Sequence, residues 1–249
     1  MPETIPLIVE RKGSIMTLSL NNVEKKNALN SEIMGAMVAT IKESQKFSEL
    51  RAIVIRGEGS IFCSGADLNE WKPNQLQHLL KEIVDCSIPT IALVHGSCLG
   101  GGMGLICACD FILAHDDTKF GFPEVRIGMI PAVIFPYVAK KFGLGKMKEF
   151  FLTGQSFDVS IAEKCGMLYG KYSKDESALD ELVFNLAKGG PEAQKSIKNL
   201  FNSDILSKSR KESDLELSSL INEIKEGKEC QEGISSFLHK TKPNWIDNV

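Results

Sequence analysis

The chain has few of the residues on which metal, disulfide and redox sites depend. Its 249 residues include 4 histidines and an odd number of cysteines, 7. Cys107 and Cys109 are separated by one residue instead of the two of a CxxC pair, and most cysteines lie within apolar stretches. We therefore expect no metal site, and we interpret the cysteines as buried, reduced thiols of a cytoplasmic protein.

Long apolar runs and an excess of basic residues are also missing. No apolar run approaches the about 18 residues of a membrane-spanning helix, and the stretch MPETIPLIVERKGS lacks the apolar core of a signal peptide. The formal net charge is -3, whereas nucleic-acid-binding domains carry clustered basic residues. We expect neither nucleic acid nor membrane as a partner. The 43% hydrophobic content is that of a globular chain with a sizeable core.

Two phosphate-binding loops are incomplete. FGLGKM, residues 142–147, has the Gly-Lys of a Walker A loop but Met147 where Ser or Thr would bind magnesium. Gly102 and Gly104 begin a dinucleotide-binding pattern, but Cys107 stands where its third glycine belongs. The sequence therefore contains neither of these two nucleotide-binding motifs.

Short β-rich runs alternate with helical patterns in the first half of the chain, whereas the second half is mainly helical. Strands are predicted at 14–20, 51–57, 88–96 and 110–117, and helices at 29–45, 68–86, 133–142, 145–152, 158–165, 176–188, 191–201, 209–226 and 228–239. This order predicts an α/β fold. The sequence KGGPEA, a glycine stop followed by a helix-starting proline, divides it into a core at 1–190 and a helical region at 191–249.

Glycines are concentrated where predicted strands lead into helices. The run GSCLGGGMGLICACD, residues 96–110, places three consecutive glycines at a helix start, where N–H groups are unpaired and the helix dipole is positive. A second glycine turn, GSIFCSGADLNEW at 59–71, can direct the Ala66 N–H outward. Together these turns predict two N–H groups that face one carbonyl oxygen, an oxyanion hole. Close packing between helix and sheet is the alternative explanation for the glycines.

Six segments resemble the crotonase family, also called the enoyl-CoA hydratase/isomerase family, in family order and spacing. They are EKKNALN (24–30), FCSGADL (62–68), GSCLGGGMGLICACD (96–110), FGFPEVRIGMIP (120–131), FLTGQSFDVSIAEKCGML (151–168) and FLHKTKPNW (237–245). The resemblance implies an acyl-CoA site on a crotonase-type spiral of β-β-α units, with a C-terminal helical region that forms a homotrimer or homohexamer. It implies no cofactor, because coenzyme A enters as part of the substrate.

The resemblance also implies roles for individual residues. The N–H groups of Ala66 and Gly101 would bind the thioester oxygen and stabilise an enolate. The other implied contacts with CoA or substrate come from Lys25, Lys26, Ala28, Ser64, Asp67 and Leu68, and from Phe237 and Lys240 of a neighbouring subunit. Judged by residue type alone, Asp67 is a turn or cap residue, the lysines a solvated pair, and Phe237 and Lys240 part of an amphipathic helix.

Of the two glutamates that hydratases of this family use, the chain has one. Gly104 stands at the position of the first, and Glu124, twenty residues later, at the position of the second. Glu124 is therefore the expected acid/base, and its apolar surroundings in FGFPEV should raise the pKa of its carboxyl. We expect Gly104 to leave a space that water or substrate fills.

The missing carboxylate leaves the reaction open. The segment PEVRIGMIPAVIFPYV, residues 123–138, resembles a bacterial hydratase subgroup that includes methylglutaconyl-CoA hydratase-like proteins. This favours hydration of a 2-enoyl-CoA in fatty-acid or branched-chain breakdown. Moving a double bond from the 3 to the 2 position needs only one base, which favours an isomerase. A different enolate chemistry and a non-catalytic acyl-CoA binding protein are further alternatives; the oxyanion residues and Glu124 argue against the last.

Residues 68–86 and 120–138 are the candidate walls of the acyl pocket. Trp71, Met129 and Phe135 in these segments either line it or belong to the ordinary core. His95, at the end of an apolar strand, is interpreted as a core histidine with a satisfied hydrogen bond instead of a base.

Overall fold

The computed structural model describes residues 5–70, 72–173 and 175–246. Trp71, one of the candidate pocket residues, lies outside them. The described strands are β1 (Leu7–Lys12), β2 (Ile15–Leu20), β3 (Ala52–Gly57), β4 (Thr90–Val94), β5 (Ser97–Leu99), β6 (Phe111–His115), β7 (Lys119–Gly121), β8 (Ser156–Asp158) and β9 (Gly170–Tyr172). The predictions at 14–20, 51–57, 88–96 and 110–117 are confirmed as β2, β3, β4 and β6.

The described α-helices match the helical patterns of the sequence. They are α1 (Ser31–Ser44), α2 (Pro73–Asp85), α3 (Gly101–Ala108), α4 (Phe135–Phe142), α5 (Leu144–Thr153), α6 (Val159–Lys164), α7 (Ser177–Ala187), α8 (Pro191–Asn202), α9 (Arg210–Glu226) and α10 (Lys228–His239). Short 3-10 helices occupy Val23–Lys25, Leu68–Glu70, Pro123–Ile127, Ile205–Ser207 and Asn244–Ile246. No helix in these described segments is both long and apolar enough to cross a bilayer.

The described strands form two sheets. The larger has the strand order β1-β2-β3-β4-β6-β9, in which only β1 and β2 pair in antiparallel fashion. The smaller has the order β5-β7-β8, with β5 and β7 parallel. Strand pairs followed by a helix recur, as in β1-β2-α1 and β4-β5-α3. Since each parallel strand ends at the same edge, the loops after β3 and β4 are brought together there.

Both faces of the larger sheet are covered, which explains the continuous apolar run in β3. Ile53 and Ile55 face the main core beneath α1 to α4, whereas Ala52 and Val54 face a second cluster that includes Leu182 of α7. A strand of a parallel sheet covered on both faces needs apolar residues at successive positions. The predicted α/β architecture is therefore confirmed.

Polar contacts hold α8 against the core and join α10 to α8. The Lys198 ammonium on α8 donates to the Asp110 carboxylate at 2.5 Å and to the Ile88 carbonyl at 3.1 Å. The Glu229 carboxylate on α10 accepts the N–H groups of Glu192 and Ala193 at 2.8 and 2.9 Å, which caps the start of α8. The division at residue 190 into two domains stays a prediction.

The cysteines are free thiols. Cys63, Cys86, Cys98, Cys107 and Cys109 are buried, and the remaining two are half-buried. Removal from water disfavours a thiolate, so burial raises the pKa of Cys63, Cys107 and Cys109 to about 12. The interpretation as buried, reduced thiols is confirmed for five of the seven.

Candidate active site

Backbone pairing brings the two glycine turns together. The Cys63 N–H, in the turn after β3, donates to the Ser97 carbonyl at 3.1 Å, and the Leu99 N–H of β5 donates back to the Cys63 carbonyl at 3.0 Å. Beyond this bridge each of the two segments turns at a glycine with positive φ, which is 112° at Gly65 and 51° at Gly100. Residues without a Cβ atom adopt these angles without strain. The residues that follow these turns are Ala66, which is half-buried, and Gly101, which is buried.

Ala66 and Gly101, which follow the two turns, have N–H groups without an acceptor among the described residues. Ala66 is held on both sides, because the Leu29 N–H donates to the Gly65 carbonyl at 2.8 Å and the Asp67 N–H to the Leu29 carbonyl at 3.0 Å. A Cβ atom placed on Gly101 would lie 3.1 Å from the Ala66 nitrogen. The two amide groups are therefore close neighbours at the start of α3.

The glycines of the run serve different purposes. Gly100 has a positive φ and a ψ of -119°, a combination that residues with side chains rarely adopt. At Gly102 a Cβ atom would lie 2.9 Å from Cβ of Cys63, so this glycine allows α3 to approach the turn after β3. The packing explanation raised for the glycines thus describes Gly102, whereas at Gly101 the missing side chain leaves open the space beside the Ala66 nitrogen.

Glu124 reaches the glycine run through the smaller sheet. The Gly100 N–H donates to the Gly121 carbonyl at 3.0 Å, at the end of the pairing between β5 and β7. Phe122 is fully buried and packs against Phe151 with ring centroids 4.5 Å apart, which anchors the start of the 3-10 helix that carries Glu124. Two residues further on, the Glu124 carboxyl lies against Gly100. A Cβ atom on Gly100 would lie 3.2 Å from Oε1 of Glu124.

The Glu124 carboxyl lies in a poorly solvated place. The residue is half-buried, and its Oε2 is buried without a hydrogen-bond partner among the residues described. Burial penalises the charged form and raises the pKa of Glu124 above its usual value. A carboxyl whose pKa is moved towards neutrality exchanges protons more readily with a bound molecule than an ordinary glutamate does.

The space expected at Gly104 is occupied by Ile134. Ile134 precedes α4 and is 2% exposed. Its Cβ lies 2.9 Å from the position that a Cβ atom on Gly104 would occupy, and its Cγ2 lies closer still. Cδ1 of Leu80, on α2, lies 3.2 Å from the same position. The expectation that water or substrate fills this space is wrong, because an aliphatic side chain from a distant part of the sequence packs there.

Asp67 is a structural residue of its turn. Its side chain is 4% exposed, and its Oδ2 lies 3.2 Å from the Lys25 ammonium. Its Oδ1 accepts the Asn69 N–H at 2.9 Å, which caps the 3-10 helix Leu68–Glu70. Hydrogen bonds from the Asn69 N–H and from Lys25 lower the pKa of Asp67. The structure therefore supports the turn or cap role, and it pairs Lys25 with Asp67.

The other residues expected to contact CoA lie around the same turn. The Ser64 N–H donates to the Lys26 carbonyl at 3.0 Å, which joins the lysine loop to the first glycine turn. Lys26 is exposed and has a φ of 54°, Ala28 is buried, and Leu68 is 58% exposed. The structure thus brings Lys25, Lys26, Ala28, Ser64 and Leu68 to the neighbourhood of Ala66. Their contacts with CoA stay a prediction.

Phe237 and Lys240 lie elsewhere in the chain. Phe237 is 84% exposed and lines a groove between α8, α9 and α10, and Lys240 ends α10 with a φ of 55°. Neither residue is part of the turns that hold Ala66 and Gly101. Their contribution to the site of a neighbouring subunit stays a prediction.

Three further candidates are placed by hydrogen bonds and ring contacts. The Met129 N–H donates to the Glu124 carbonyl at 3.0 Å, and the side chain is half-buried. The Phe135 ring is 47% exposed and meets Phe151 edge-on at 6.1 Å between centroids. Nε2 of His95 lies 2.9 Å from the Gly59 carbonyl oxygen, as expected for a histidine with a structural hydrogen bond.

Comparison with known proteins agrees with this geometry. The family model for enoyl-CoA hydratase/isomerase matches residues 10–248. A probable enoyl-CoA hydratase of Bacillus subtilis is 30% identical over 97% of this chain and 98% of its own length. The mitochondrial Delta(3,5)-Delta(2,4)-dienoyl-CoA isomerase of Dictyostelium discoideum is 29% identical over 71% of this chain and 69% of its own.

Solved structures show the same architecture. The crystal structure of an enoyl-CoA hydratase from Shewanella pealeana aligns with a TM-score of 0.92 at 26% identity and covers 96% of each chain. The resemblance and the crotonase-type fold expected from the sequence are confirmed. The chain therefore belongs to the enoyl-CoA hydratase/isomerase family.

Proposed function

We propose that the protein hydrates a 2-enoyl-CoA to a 3-hydroxyacyl-CoA, with Glu124 as its only carboxylate acid/base. The observation that carries this proposal is the position of the Glu124 carboxyl, which lies against Gly100 beside the free N–H groups of Ala66 and Gly101. Its Oε1 faces Gly100, and its Oε2 is buried without a hydrogen-bond partner among the described residues.

The two N–H groups supply the electrostatic part of the mechanism. The thioester oxygen accepts a hydrogen bond from Ala66 and one from Gly101, so negative charge that develops on this oxygen is stabilised at the positive end of α3. One such donor is typically worth about 100- to 1000-fold in rate. The enolate is the intermediate that this arrangement favours.

One carboxylate suffices for the addition of water. Glu124 takes a proton from the bound water as the water oxygen attacks C3. The electrons of the C2–C3 double bond then move towards the thioester to form the enolate. The enolate then takes the proton from Glu124 at C2. The product has gained one hydrogen and one hydroxyl group, and Glu124 is ionised again.

The relatives support hydration, and the other parts of the proposal rest on the family. The Bacillus subtilis and Shewanella pealeana proteins are named as enoyl-CoA hydratases. We propose fatty-acid or branched-chain acyl-CoA breakdown as the setting, CoA as part of the substrate with no further cofactor, and a cytoplasmic homotrimer or homohexamer. In that assembly Phe237 and Lys240 complete the CoA site of a neighbour.

Isomerisation of a 3-enoyl-CoA to a 2-enoyl-CoA is the second candidate, and the contact between Gly104 and Ile134 favours it. Glu124 would remove a proton at C2 and return it at C4, while the N–H groups of Ala66 and Gly101 stabilise the dienolate. This route needs no water and no second carboxylate, and an aliphatic side chain fills the space over Gly104.

Ultraviolet absorbance of the conjugated 2-enoyl thioester separates these functions. Loss of absorbance with a 2-enoyl-CoA is expected for hydration, and a gain with a 3-enoyl-CoA for isomerisation. Glu124→Gln should slow whichever change the native protein produces by about 100- to 10,000-fold. Tight binding of CoA thioesters without either change would overturn both proposals and indicate a non-catalytic acyl-CoA binding protein.

A further inference from the structure

Glu124 and Ile134 lie against two glycines at the start of α3. Gly100 immediately precedes the helix, and the Gly104 N–H donates to the Gly100 carbonyl at 3.4 Å, so the two glycines are one helical turn apart. A Cβ atom on Gly100 would lie 3.2 Å from Oε1 of Glu124, and one on Gly104 would lie 2.9 Å from Cβ of Ile134. The carboxyl and the aliphatic side chain are therefore adjacent along the helix.

The surroundings of this pair are aliphatic. Cδ2 of Leu76 lies 3.4 Å from the position of a Cβ atom on Gly101, and Cδ1 of Leu80 lies 3.2 Å from the corresponding position on Gly104. Leu76, Leu80 and Ile134 together form what we call the aliphatic wall. A water molecule is stably held only where about two to four polar groups bind it. The wall offers none, so water beside Glu124 must bind to the carboxylate itself or to the substrate.

The backbone of Ile134 is held independently of its side chain. Its carbonyl accepts the N–H groups of Tyr137 and Val138 at 3.1 and 3.0 Å, in the first turn of α4. The side chain is almost completely buried, and the first turn of α4 fixes the backbone that carries it. Truncation of this side chain therefore opens space beside Glu124 without removing a hydrogen bond.

We propose that Ile134 is the specificity-determining residue of this site, because it keeps additional water away from Glu124 and so sets the ratio of hydration to double-bond isomerisation. This inference rests on the proposed function, in which Glu124 transfers protons on an enoyl thioester. With Ile134 present, a proton that Glu124 takes from C2 returns to carbon before it exchanges with solvent. With a smaller residue, water reaches the carboxyl, so proton exchange and water addition both increase.

The test compares Ile134→Ala and Ile134→Val with a matched control, Ile41→Ala. Ile41 is a fully buried isoleucine on α1, so its truncation also opens an aliphatic cavity, but away from the glycine turns. For each protein we would measure hydration of a 2-enoyl-CoA, isomerisation of a 3-enoyl-CoA, and deuterium incorporated at C4 during isomerisation in D2O. Deuterium incorporation reports water beside the carboxyl, a quantity that a loss of stability alone does not increase.

Ile134→Ala should raise the ratio of hydration to isomerisation by about tenfold or more, the scale on which pocket changes of a methylene or two discriminate substrates. Deuterium at C4 should rise with it. Ile134→Val should shift both in the same direction by less, and Ile41→Ala should shift neither. If Ile134→Ala does not fold, Ile134→Cys decides the outcome, because cysteine also lacks the Cγ2 methyl that lies over Gly104, whereas valine retains it.

An unchanged ratio and unchanged deuterium content in a folded Ile134 variant would overturn this inference while leaving the proposed function intact. The same shift in the Ile41→Ala control would overturn it as well, since the effect would then arise from general loosening. A native protein that catalyses neither reaction, or a Glu124→Gln variant with full activity, would instead overturn the proposed function, and the role of Ile134 would fall with it.

Discussion

The Gly100 N–H donates a 3.0 Å hydrogen bond to the Gly121 carbonyl. This bond links the turn before Gly101 with strand β7, which leads to Glu124. Glu124, the proposed acid/base, is thus positioned by backbone pairing, and its Oε2 has no partner in the described chain. Replacing the carboxyl by an amide should therefore change proton transfer while leaving the architecture of the site unchanged.

Glu124→Gln should lose about 100- to 10,000-fold in turnover, the usual contribution of a general acid/base, whereas CoA thioester binding persists. Steady-state rates and calorimetric binding of a CoA thioester would separate the two effects. Full activity of the variant with both enoyl-CoA substrates would show that another group is the base.

The same substitution should stabilise the protein near neutrality. Burial raises the pKa of Glu124, so the folded state binds this proton more tightly than the unfolded state does. Stability is therefore lost as pH rises from the unfolded pKa, about 4.3, through the higher folded pKa. Urea unfolding at equal protein concentration should show the glutamine variant to be more stable at pH 7, with the difference disappearing below about pH 4. A difference independent of pH would contradict this linkage.

Gly101 allows a test that separates the lost N–H from the added carbon. It is the first residue of α3, a position that tolerates proline, so Gly101→Pro should fold while removing the donor. The loss expected for one oxyanion-hole donor is about 100- to 1000-fold. Gly101→Ala is the control that keeps the N–H but also places a Cβ atom 3.1 Å from the Ala66 nitrogen. Proline and alanine variants with equal activity would argue against the N–H as a donor.

Gly104→Ala should destabilise the protein even though alanine favours helix over glycine. Its Cβ atom would overlap the Ile134 side chain, and overpacking of a core typically costs about 1 to 3 kcal/mol. In an Ile134→Ala background the same change should cost less, because the contact with Cγ2 is gone, although the retained Cβ still lies 2.9 Å away. Chemical denaturation of the four proteins gives the coupling energy, and additive effects would contradict the contact.

Gly104→Glu by itself should not introduce a working second carboxylate, because the side chain must displace Ile134. In combination with Ile134→Ala it gains room, and hydration of a 2-enoyl-CoA should then exceed that of Gly104→Glu alone. Greater hydration by the single variant than by the double variant would contradict the role of Ile134 as the obstruction.

The exposed apolar residues of the C-terminal helices predict that the chain self-associates, and the family resemblance implies a trimer or a dimer of trimers. Phe201 and Phe237 are 80% and 84% exposed in the single chain, and apolar side chains this accessible are expected to pack against another subunit. Light scattering at micromolar concentration checks the assembly. If Lys240 reaches a neighbour's CoA phosphates, Lys240→Ala should raise KM with little change in kcat, an effect that salt diminishes. A monomer with normal KM would contradict both expectations.

Local sequence patterns identified the longer elements, because repeating side-chain periodicity is visible without knowledge of the fold. Strands β3 and β4 are continuous apolar runs, and α4 to α10 lie close to the predicted helical segments. The strands β5, β7 and β8 have three residues each, too few for a periodicity to be recognised. This smaller sheet is nevertheless the element that connects Gly100 to the segment carrying Glu124.

By itself the sequence determined the α/β class, the glycine turns and, through the family resemblance, the candidate acid/base Glu124. Only the tertiary structure decided what stands beside that acid/base. The pairing of Cys63 with β5 makes neighbours of the Ala66 and Gly101 amides. The packing of Ile134 onto α3 fills the place of a second carboxylate. Both contacts join residues far apart in the chain, and they depend on shape and volume, which a residue pattern along one segment does not record.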